Sequence, residues 1–238
     1  MPAASLEIRS LSSGYGPTRV IEDVSLSVEA GSRLAVLGRN GMGKTSLLAT
    51  LAGQTKRYGG DILLGGRDIA GLPSAARAIA GLGYVPQTRD IFPTLTVEEN
   101  LFIGLKGRPK AALGEAYAMF PRLKERRKNL GSQLSGGEQQ MLSTARTILG
   151  QPSVLLLDEP LEGLAPVICE ELMAAFSLLA SSGDMTIVLV EQRIQAALDF
   201  AEQVIVMERG RIAWGGTPAE FAADKHVVEA LLGVGGLH

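Results

Sequence analysis

The chain has 238 residues, of which 46% are apolar and 20% charged, a composition typical of a globular protein with a substantial core. Its formal net charge of −2 leaves no excess of lysine and arginine for a nucleic-acid-binding surface, so we expect no nucleic acid as a partner. The single cysteine, Cys169, excludes an internal disulfide framework and any multi-cysteine zinc site.

Charged residues interrupt the apolar stretches of the chain. Glu7 and Arg9 lie within the first of these stretches, which is therefore unlike the apolar region of a signal peptide. No run of about 18 uncharged apolar residues, the length that a membrane-spanning helix needs, occurs anywhere. We therefore expect a cytoplasmic protein that reaches a membrane only through a partner.

Short β-rich runs open the chain. Leu6 to Ile8 and the alternating run from Val24 to Val28 predict two strands. The stretch between them, Ser12 to Pro17, is rich in residues that favour turns. We expect an antiparallel flap here.

Three near-continuous apolar runs follow, each with a stretch of helical periodicity after it. They are Leu34 to Leu37, Val154 to Leu157 and Ile187 to Val190. Strands buried on both faces have this composition, which predicts a parallel sheet covered by helices.

The segment from about Phe92 to Leu149 has a different pattern. It carries helical periodicity without an equally strong strand, as in Ala111 to Phe120 and Glu138 to Leu149. We interpret it as a helical subdomain inserted between the parallel strands.

After the third apolar run we expect two strands, a turn and short closing helices. The strands are Val204 to Met207 and Arg211 to Trp214, the turn is Gly215-Gly216, and the helices lie within Pro218 to Leu232.

A glycine-rich loop follows the first apolar run and precedes a helix predicted from Ser46 to Leu51. Glycines let backbone N–H groups face one point, and the helix adds the positive end of its dipole. Lys44 is predicted to reach the β- and γ-phosphates, and Thr45 to offer its hydroxyl to Mg²⁺. The loop matches the whole pattern G-x-x-x-x-G-K-[ST], which favours nucleotide binding over a plain strand-to-helix turn, and its candidate binding residues are Gly38, Arg39, Asn40, Gly41, Met42, Gly43, Lys44, Thr45 and Ser46.

Two carboxylates follow the second apolar run. Asp158 ends this predicted strand at the carboxyl edge of the sheet, where it can hold Mg²⁺ through water. Glu159 is free to orient or deprotonate an attacking water. The alternative is that the two carboxylates only mark a solvated strand end. The glycine-rich loop described above, a P-loop, lies in the same chain and favours a catalytic role for them. No guanine-reading Asn-Lys-x-Asp sequence occurs, which favours ATP over GTP.

The run Leu134 to Gln140 contains a capping box and two glycines. Ser135 and Glu138 form the S-x-x-E pattern of an ordinary helix start. A cap does not require glycines in the first turn, where each costs about 0.5–1 kcal/mol relative to alanine. We infer that a ligand approaches the backbone N–H groups here, which makes a second phosphate-binding site of Ser135, Gly136, Gly137 and Glu138.

Leu-Ser-Gly-Gly-x-Gln, which begins at Leu134, resembles the signature of the ATP-binding cassette (ABC) family. The resemblance covers nearly the whole chain, with an aromatic residue, the P-loop, a glutamine loop, the signature, the strand ending in Asp158, a D-loop and a switch residue in the family's order. In that family the signature of one cassette contacts the γ-phosphate of ATP held by another. The resemblance therefore implies a second cassette, identical or distinct, as a partner.

Two more residues carry over from the resemblance. Tyr15 is similar to the family's aromatic residue that stacks on adenine, with a turn tyrosine as the alternative. Gln87 is similar to the glutamine that contacts Mg²⁺ and joins the core to the helical subdomain. ATP and Mg²⁺ are therefore the implied cofactors.

The chain departs from the usual family pattern in two places. The switch position, usually histidine, is Gln192, which can donate a hydrogen bond to a γ-phosphate oxygen but cannot carry a proton at neutral pH. This excludes proton shuttling by the switch residue, although Gln192 stays a catalytic candidate beside Glu159 and Lys44. The D-loop, Leu161 to Pro166, lacks the usual serine and aspartate.

Together these departures resemble the ATP-binding subunits of branched-chain amino acid importers and of their urea and amide relatives. The resemblance implies two membrane permeases, a periplasmic substrate-binding protein, and a place on the inner face of the plasma membrane. Ile91 to Leu105 then forms part of the surface that receives a permease helix, or belongs to the subdomain core. The binding protein and the permeases would select the transported substrate, so this chain's sequence does not identify it.

The predicted fold is α/β, a mostly parallel sheet of the P-loop NTPase type with an antiparallel β flap and an inserted helical subdomain. The nucleotide-binding core with its flap is predicted over residues 1–87 and 151–238, and the helical subdomain over about 88–150. A soluble ABC protein of translation or DNA repair is the rival function. Such proteins usually join two cassettes or insert a long coiled coil, and this chain has neither.

Overall fold

The structure, a computed structural model, describes residues 2–224, 228–229 and 233. Its strands are β1 (Leu6–Tyr15), β2 (Thr18–Val28), β3 (Arg33–Leu37), β4 (Lys56–Leu64), β5 (Arg67–Asp68), β6 (Leu82–Val85), β7 (Val154–Asp158), β8 (Thr186–Val190), β9 (Gln203–Glu208) and β10 (Arg211–Gly216). Its α-helices are α1 (Lys44–Leu51), α2 (Ser74–Ala80), α3 (Val97–Gly104), α4 (Leu113–Met119), α5 (Pro121–Glu125), α6 (Gly136–Leu149), α7 (Pro166–Ser181), α8 (Ile194–Phe200) and α9 (Pro218–Ala223).

The larger sheet has six strands in the order β10-β9-β3-β8-β7-β6. Neighbouring strands are parallel except β9 and β10, which are antiparallel. The three apolar runs of the sequence are β3, β7 and β8, and every residue of β7 and β8 is buried. The predicted parallel sheet is thus confirmed.

Side chains of the central strands alternate between two apolar cores, which explains why these strands are apolar at successive positions. Leu155 and Leu157 of β7 belong to a core shared with α3, α4, α6 and α7. Val154 and Leu156 belong to the core on the other face, with α1 and the flap strands. A smaller core surrounds Phe221 of α9, next to β9.

The predicted flap is an antiparallel sheet in the order β2-β1-β4-β5. The turn expected at Ser12–Pro17 is too long, because β1 continues to Tyr15 and only Gly16 and Pro17 connect it to β2. Ser13 explains the difference. It is fully buried, and its Oγ lies 2.7 Å from Oγ1 of Thr50 in α1, so this polar side chain has a partner inside the fold.

The turn expected at Gly215-Gly216 is wrong, because both glycines continue β10. They pair with Ile205 and Val204 of β9. A Cβ on Gly216 would lie 2.8 Å from Cη2 of Trp214, so this glycine makes room for the indole ring instead of reversing the chain.

Several helix limits differ from the predicted ones. α1 begins at Lys44 instead of Ser46, because the polar residues Lys44 and Thr45 precede the apolar pattern. α6 begins at Gly136, directly after Ser135 as the capping box predicts, and two residues before the helical periodicity that starts at Glu138. The stretch Ala111 to Phe120 begins as a 3-10 turn, Lys110–Ala112, before α4. Of the closing helices, α9 is present, and the rest of the range to Leu232 lies largely outside the described residues.

Four helices, α3 to α6, lie within residues 88–150. The domain limits at residues 87 and 151 remain a prediction.

In the part of the chain that the structure describes, no helix is both long and apolar enough to cross a membrane.

A buried arginine joins α2 to the end of α1. Arg77, 4% exposed, donates from Nη1 to the carbonyl oxygens of Thr50 at 2.7 Å and Leu51 at 2.8 Å. Its Nη2 and Nε donate to the carbonyl oxygens of Ala70 and Leu72 at 2.8 and 2.9 Å. Burial lowers the pKa of the Arg77 guanidinium, which stays charged at neutral pH. This side chain therefore satisfies carbonyl groups at the end of the P-loop helix.

We expect Arg77→Ala to lower the free energy of unfolding by about 3 kcal/mol or more, because it leaves buried carbonyl groups without donors. Arg77→Lys should recover little, since one ammonium group cannot span carbonyls on two sides. Urea unfolding measures the change, with the exposed Arg67→Ala as the control. Equal unfolding midpoints for Arg77→Ala and Arg67→Ala would contradict this role.

Candidate functional site

The P-loop forms a cavity where the chain passes from β3 into α1. Gly43 precedes the helix with a φ of 101°, in the left-handed region that favours glycine. The cavity has a volume of about 300 Å³. Its walls come from the loop, the flap and the loops after three strands, and the residues are Val20, Asn40, Gly41, Gly43, Lys44, Thr45, Ser46, Gln87, Glu159, Glu162 and Gln192.

Lys44 places one buried positive charge in the cavity wall. Its Nζ donates to the carbonyl oxygens of Gly38 at 2.8 Å and Arg39 at 3.2 Å, and lies 3.6 Å from Oε1 of Glu159. The loop carbonyls thus hold the ammonium group in position. A fixed ammonium beside backbone N–H groups is a preformed binding group for phosphate.

Asp158, at the end of β7, lies beside the first turn of α1. Thr45 donates its hydroxyl to Oδ1 at 3.1 Å, and Tyr84 of β6 donates its hydroxyl to Oδ2 at 3.1 Å. Burial raises the pKa of Asp158, although both hydrogen bonds act in the opposite direction. Burial, and then the Asp158 charge, raise the pKa of Tyr84, so its hydroxyl remains a donor.

The oxygens of Thr45 and Asp158 fit a hard divalent cation. A hydroxyl and a carboxylate are ligands that Mg²⁺ uses when phosphate and water oxygens complete its shell. The described residues contain no group of three or more His, Cys, Asp or Glu side chains that could hold a metal ion. Because Thr45 and Asp158 supply only two oxygens, phosphate and water oxygens would have to complete the shell of such a cation.

Glu159 is buried between the P-loop lysine and two side-chain amides. Its φ of 47° lies in the left-handed region, and its N–H donates to the carbonyl oxygen of Val190 at 2.9 Å. Nε2 of Gln192 donates to Oε2 of Glu159, and Nε2 of Gln87 lies 3.5 Å from the same oxygen. The carboxylate can accept a proton from a water at the phosphate end of the cavity.

Glu162 and Tyr84 are site residues that the sequence patterns do not single out. Glu162 lines the cavity and accepts a hydrogen bond from Nε2 of Gln87. Glu162 could have been found from the sequence, because it belongs to the altered D-loop. No sequence pattern points to Tyr84, because its contact with Asp158 depends on the pairing of β6 with β7.

Some predicted residues lie outside this cavity. Tyr15 ends β1 with 50% of its surface exposed and does not line it. Met42 faces the turn between β9 and β10, where its carbonyl oxygen accepts from the N–H of Gly210 at 3.0 Å. Gly38 and Arg39 line an adjacent cavity with Glu191 and Gln192.

The signature residues lie apart from this cavity, at the start of α6. Oγ of Ser135 accepts from the N–H of Glu138 at 3.3 Å, and Oε2 of Glu138 accepts from the N–H of Ser135 at 2.8 Å, which confirms the capping box. Ser135, Gly136, Gly137 and Glu138 are not among the residues that line the P-loop cavity.

The signature glycines have a packing role inside the chain. A Cβ on Gly137 would lie 2.9 Å from Cγ2 of Ile168 in α7, and one on Gly136 would lie 3.0 Å from Nη1 of Arg89. The close approach inferred from the two glycines is therefore partly explained by contacts within the same polypeptide.

We expect Gln192→Ala to lower the rate constant of ATP hydrolysis about tenfold without weakening ATP binding, because Glu159 loses the amide that orients its Oε2. Steady-state phosphate release and nucleotide titration measure the two quantities. The control is Gln195→Ala, since that amide donates to Asp199 on the outside of α8. Equal rates in the two variants would exclude the orienting role.

Known proteins share both the sequence and the fold of this chain. A family model described as "ABC transporter" matches residues 21–162. The high-affinity branched-chain amino acid transport ATP-binding protein BraG of Pseudomonas aeruginosa is 38% identical over 232 residues, 96% of this chain and 99% of BraG. The lipopolysaccharide export system ATP-binding protein LptB of Escherichia coli is 33% identical over 236 residues, 97% of this chain and 98% of LptB.

A solved structure supports the fold independently. The crystal structure of a nucleotide-free ATP-binding cassette from an ABC transporter superposes with a TM-score of 0.82 at 22% identity, and covers 98% of this chain and 100% of that one. The family model spans more than half of the chain, and the relatives cover nearly all of it. The chain therefore belongs to the ABC transporter family, as an ATP-binding and ATP-hydrolysing subunit.

Proposed function

We propose that this chain powers an importer of branched-chain amino acids, hydrolysing ATP in a site that a second cassette completes. The observation that carries the proposal is the match to BraG over 96% of this chain, since the name of that protein describes branched-chain amino acid transport. Two sequence features also resemble the ATP-binding subunits of branched-chain amino acid importers and their relatives. They are Glu162 to Pro166, in the D-loop, and Glu191-Gln192, at the switch position.

Hydrolysis uses the side chains around the P-loop cavity. Lys44 and the loop N–H groups bind the β- and γ-phosphates. Thr45, Asp158 and Gln87 would hold Mg²⁺, which would neutralise charge on the phosphate oxygens. Glu159 accepts a proton from the water that attacks the γ-phosphorus, and the bond to the β-phosphate oxygen breaks.

The signature of the second cassette completes this site. Ser135 and the N–H groups of Gly136 and Gly137 contact the γ-phosphate of ATP in the partner, with Glu138 holding Ser135 in place. Their position outside the P-loop cavity of their own chain supports a contact made between chains. ATP closes the pair and hydrolysis reopens it, so the difference in affinity of ATP and ADP for the closed form drives the permeases.

The segment Ile91 to Leu105 forms part of the surface that receives a permease helix on the cytoplasmic side of the plasma membrane. Phe92, Phe102 and Ile103 are 44%, 56% and 49% exposed, which supports contact with a partner. Phe92 and Ile103 also line a groove of about 340 Å³. Leu101 and Leu105 of the same segment are buried and belong to the core.

Two other transport classes compete with this assignment. Urea and amide importers share the altered switch and D-loop in the family resemblance. Lipopolysaccharide export is favoured by the 33% identity to LptB over 97% of the chain. The permeases and the periplasmic binding protein select the substrate, so only the assembled complex separates these classes.

Purification of the tagged full chain from the membranes of its own cells tests the proposal. We expect permeases to co-purify, and the binding protein loaded with leucine, isoleucine or valine to raise ATP turnover of the complex several-fold. Stimulation by urea or a short amide, or co-purification with components of lipopolysaccharide export, would replace the importer assignment. Ribosomes or DNA in place of permeases would support the soluble alternative.

A further inference from the structure

The loops that follow β7 and β8 carry much of the reactive chemistry of the site. β7 and β8 are neighbouring parallel strands, with Asp158 beside Val190 at their carboxyl ends. The loop after β7 supplies Glu159 and Glu162, and the loop after β8 supplies Gln192. The relative position of these loops therefore sets the distance between Glu159 and the amide that contacts it.

One buried carboxylate joins the two loops. Glu191 is 3% exposed, and its Oε1 accepts from the backbone N–H of Leu161 at 2.9 Å. Its Oε2 accepts from the N–H groups of Gln192 at 3.0 Å and Arg193 at 3.2 Å. Each carboxylate oxygen thus binds the backbone of a different loop. No other acceptor for these three N–H groups is found within the described residues.

We propose that Glu191 is a positioning residue for ATP hydrolysis, whose carboxylate fastens the D-loop to the switch loop and so fixes Gln192 relative to Glu159. The backbone N–H of Gln192 is held by Glu191, and the side-chain amide of the same residue donates to Glu159. Glu191 acts through these groups, because its own oxygens are occupied by backbone N–H donors.

A carboxylate is required at this place because it only accepts hydrogen bonds. Glutamine has nearly the same shape but one acceptor oxygen, and its NH₂ group would face an N–H donor. Since the position is buried, water does not readily replace the lost acceptor, and an N–H group remains unpaired. Glu191→Gln therefore releases one loop from the other while preserving side-chain volume.

The test compares Glu191→Gln with Glu202→Gln in the full chain. Glu202 is the control, because it also accepts from a backbone N–H, that of Arg33 at 3.1 Å at the start of β3, but is exposed, so that water can replace a lost acceptor. We expect Glu191→Gln to lower kcat about tenfold or more and to leave the Kd of ATP within about twofold. Glu202→Gln should leave both unchanged.

Hydrogen exchange gives a readout that does not depend on turnover. In the nucleotide-free full chain, Glu191→Gln should raise amide exchange in peptides that contain Leu161 or Gln192, and Glu202→Gln should not. A double-mutant cycle with Gln192→Ala should show that the two kcat effects are not additive. If Glu191→Gln does not fold, Glu191→Asp replaces it, since its shorter chain reaches only one loop.

Wild-type kcat in Glu191→Gln would overturn the proposal. So would equal losses of kcat and ATP affinity, because they would indicate general damage to the site. Unchanged exchange at Leu161 and Gln192, or fully additive effects in the cycle, would also overturn it. The inference concerns ATP hydrolysis alone, so failure of the importer assignment leaves it intact.

Discussion

Glu159→Gln should lower ATP turnover by about a thousandfold while ATP still binds. The amide keeps the size of the side chain but cannot accept a proton from the attacking water. Binding survives because Lys44, Thr45 and the loop N–H groups are unchanged, and the loss of a negative charge 3.6 Å from Nζ of Lys44 does not oppose the phosphates. Single-turnover phosphate release and nucleotide titration measure the two effects.

Glu170→Gln is the control for this variant, because Glu170 lies on the exposed face of α7 and outside the P-loop cavity. Its turnover should equal that of the unmodified chain. Turnover of Glu159→Gln at the level of this control would rule out Glu159 as the base.

Lys44→Ala should weaken ATP binding about a hundredfold and remove measurable turnover. The substitution removes the one ammonium group that the carbonyl oxygens of Gly38 and Arg39 hold in the cavity wall. Charge-assisted hydrogen bonds of this kind contribute about 1.5–3 kcal/mol each, which corresponds to a loss of about ten- to a hundredfold per bond. Calorimetric titration with ATP measures the affinity.

Lys124→Ala removes an exposed lysine of α5 and serves as the control. Its affinity and turnover should not change. An ATP affinity of Lys44→Ala within about threefold of Lys124→Ala would contradict the assignment of the phosphate site. The two variants at Lys44 and Glu159 also separate binding from chemistry, because only the former should lose affinity.

The central sheet and the P-loop could be predicted because their signals are local in sequence. Each of the strands β3, β7 and β8 is apolar because both of its faces are buried, which gives a run that stands out from its neighbours. The P-loop could be predicted from one continuous pattern. Strands β4 and β6 were not predicted, because Gly59, Gly60 and Gly83 leave apolar runs of only two or three residues in them.

Other features depend on contacts between distant parts of the chain. Ser13 belongs to a strand because Thr50 provides a buried partner 37 residues away. Arg77 donates four hydrogen bonds, and Glu191 contacts two loops. Neither set of contacts can be predicted from the sequence, because each depends on the positions of α2 and of the strand ends in the fold. Gly137 indicated a close approach, but its contact with Ile168 could not be distinguished from a ligand without the fold.

The most direct test is the mass in solution of the Glu159→Gln chain with Mg²⁺, with and without ATP, alone and with its sister cassette. Light scattering should report single chains of 25.1 kDa without nucleotide and pairs with ATP. Ser135→Arg in the same background should bind ATP and stay single. ATP binding at the P-loop without any pairing, or pairing that does not depend on nucleotide, would contradict a site built from two cassettes.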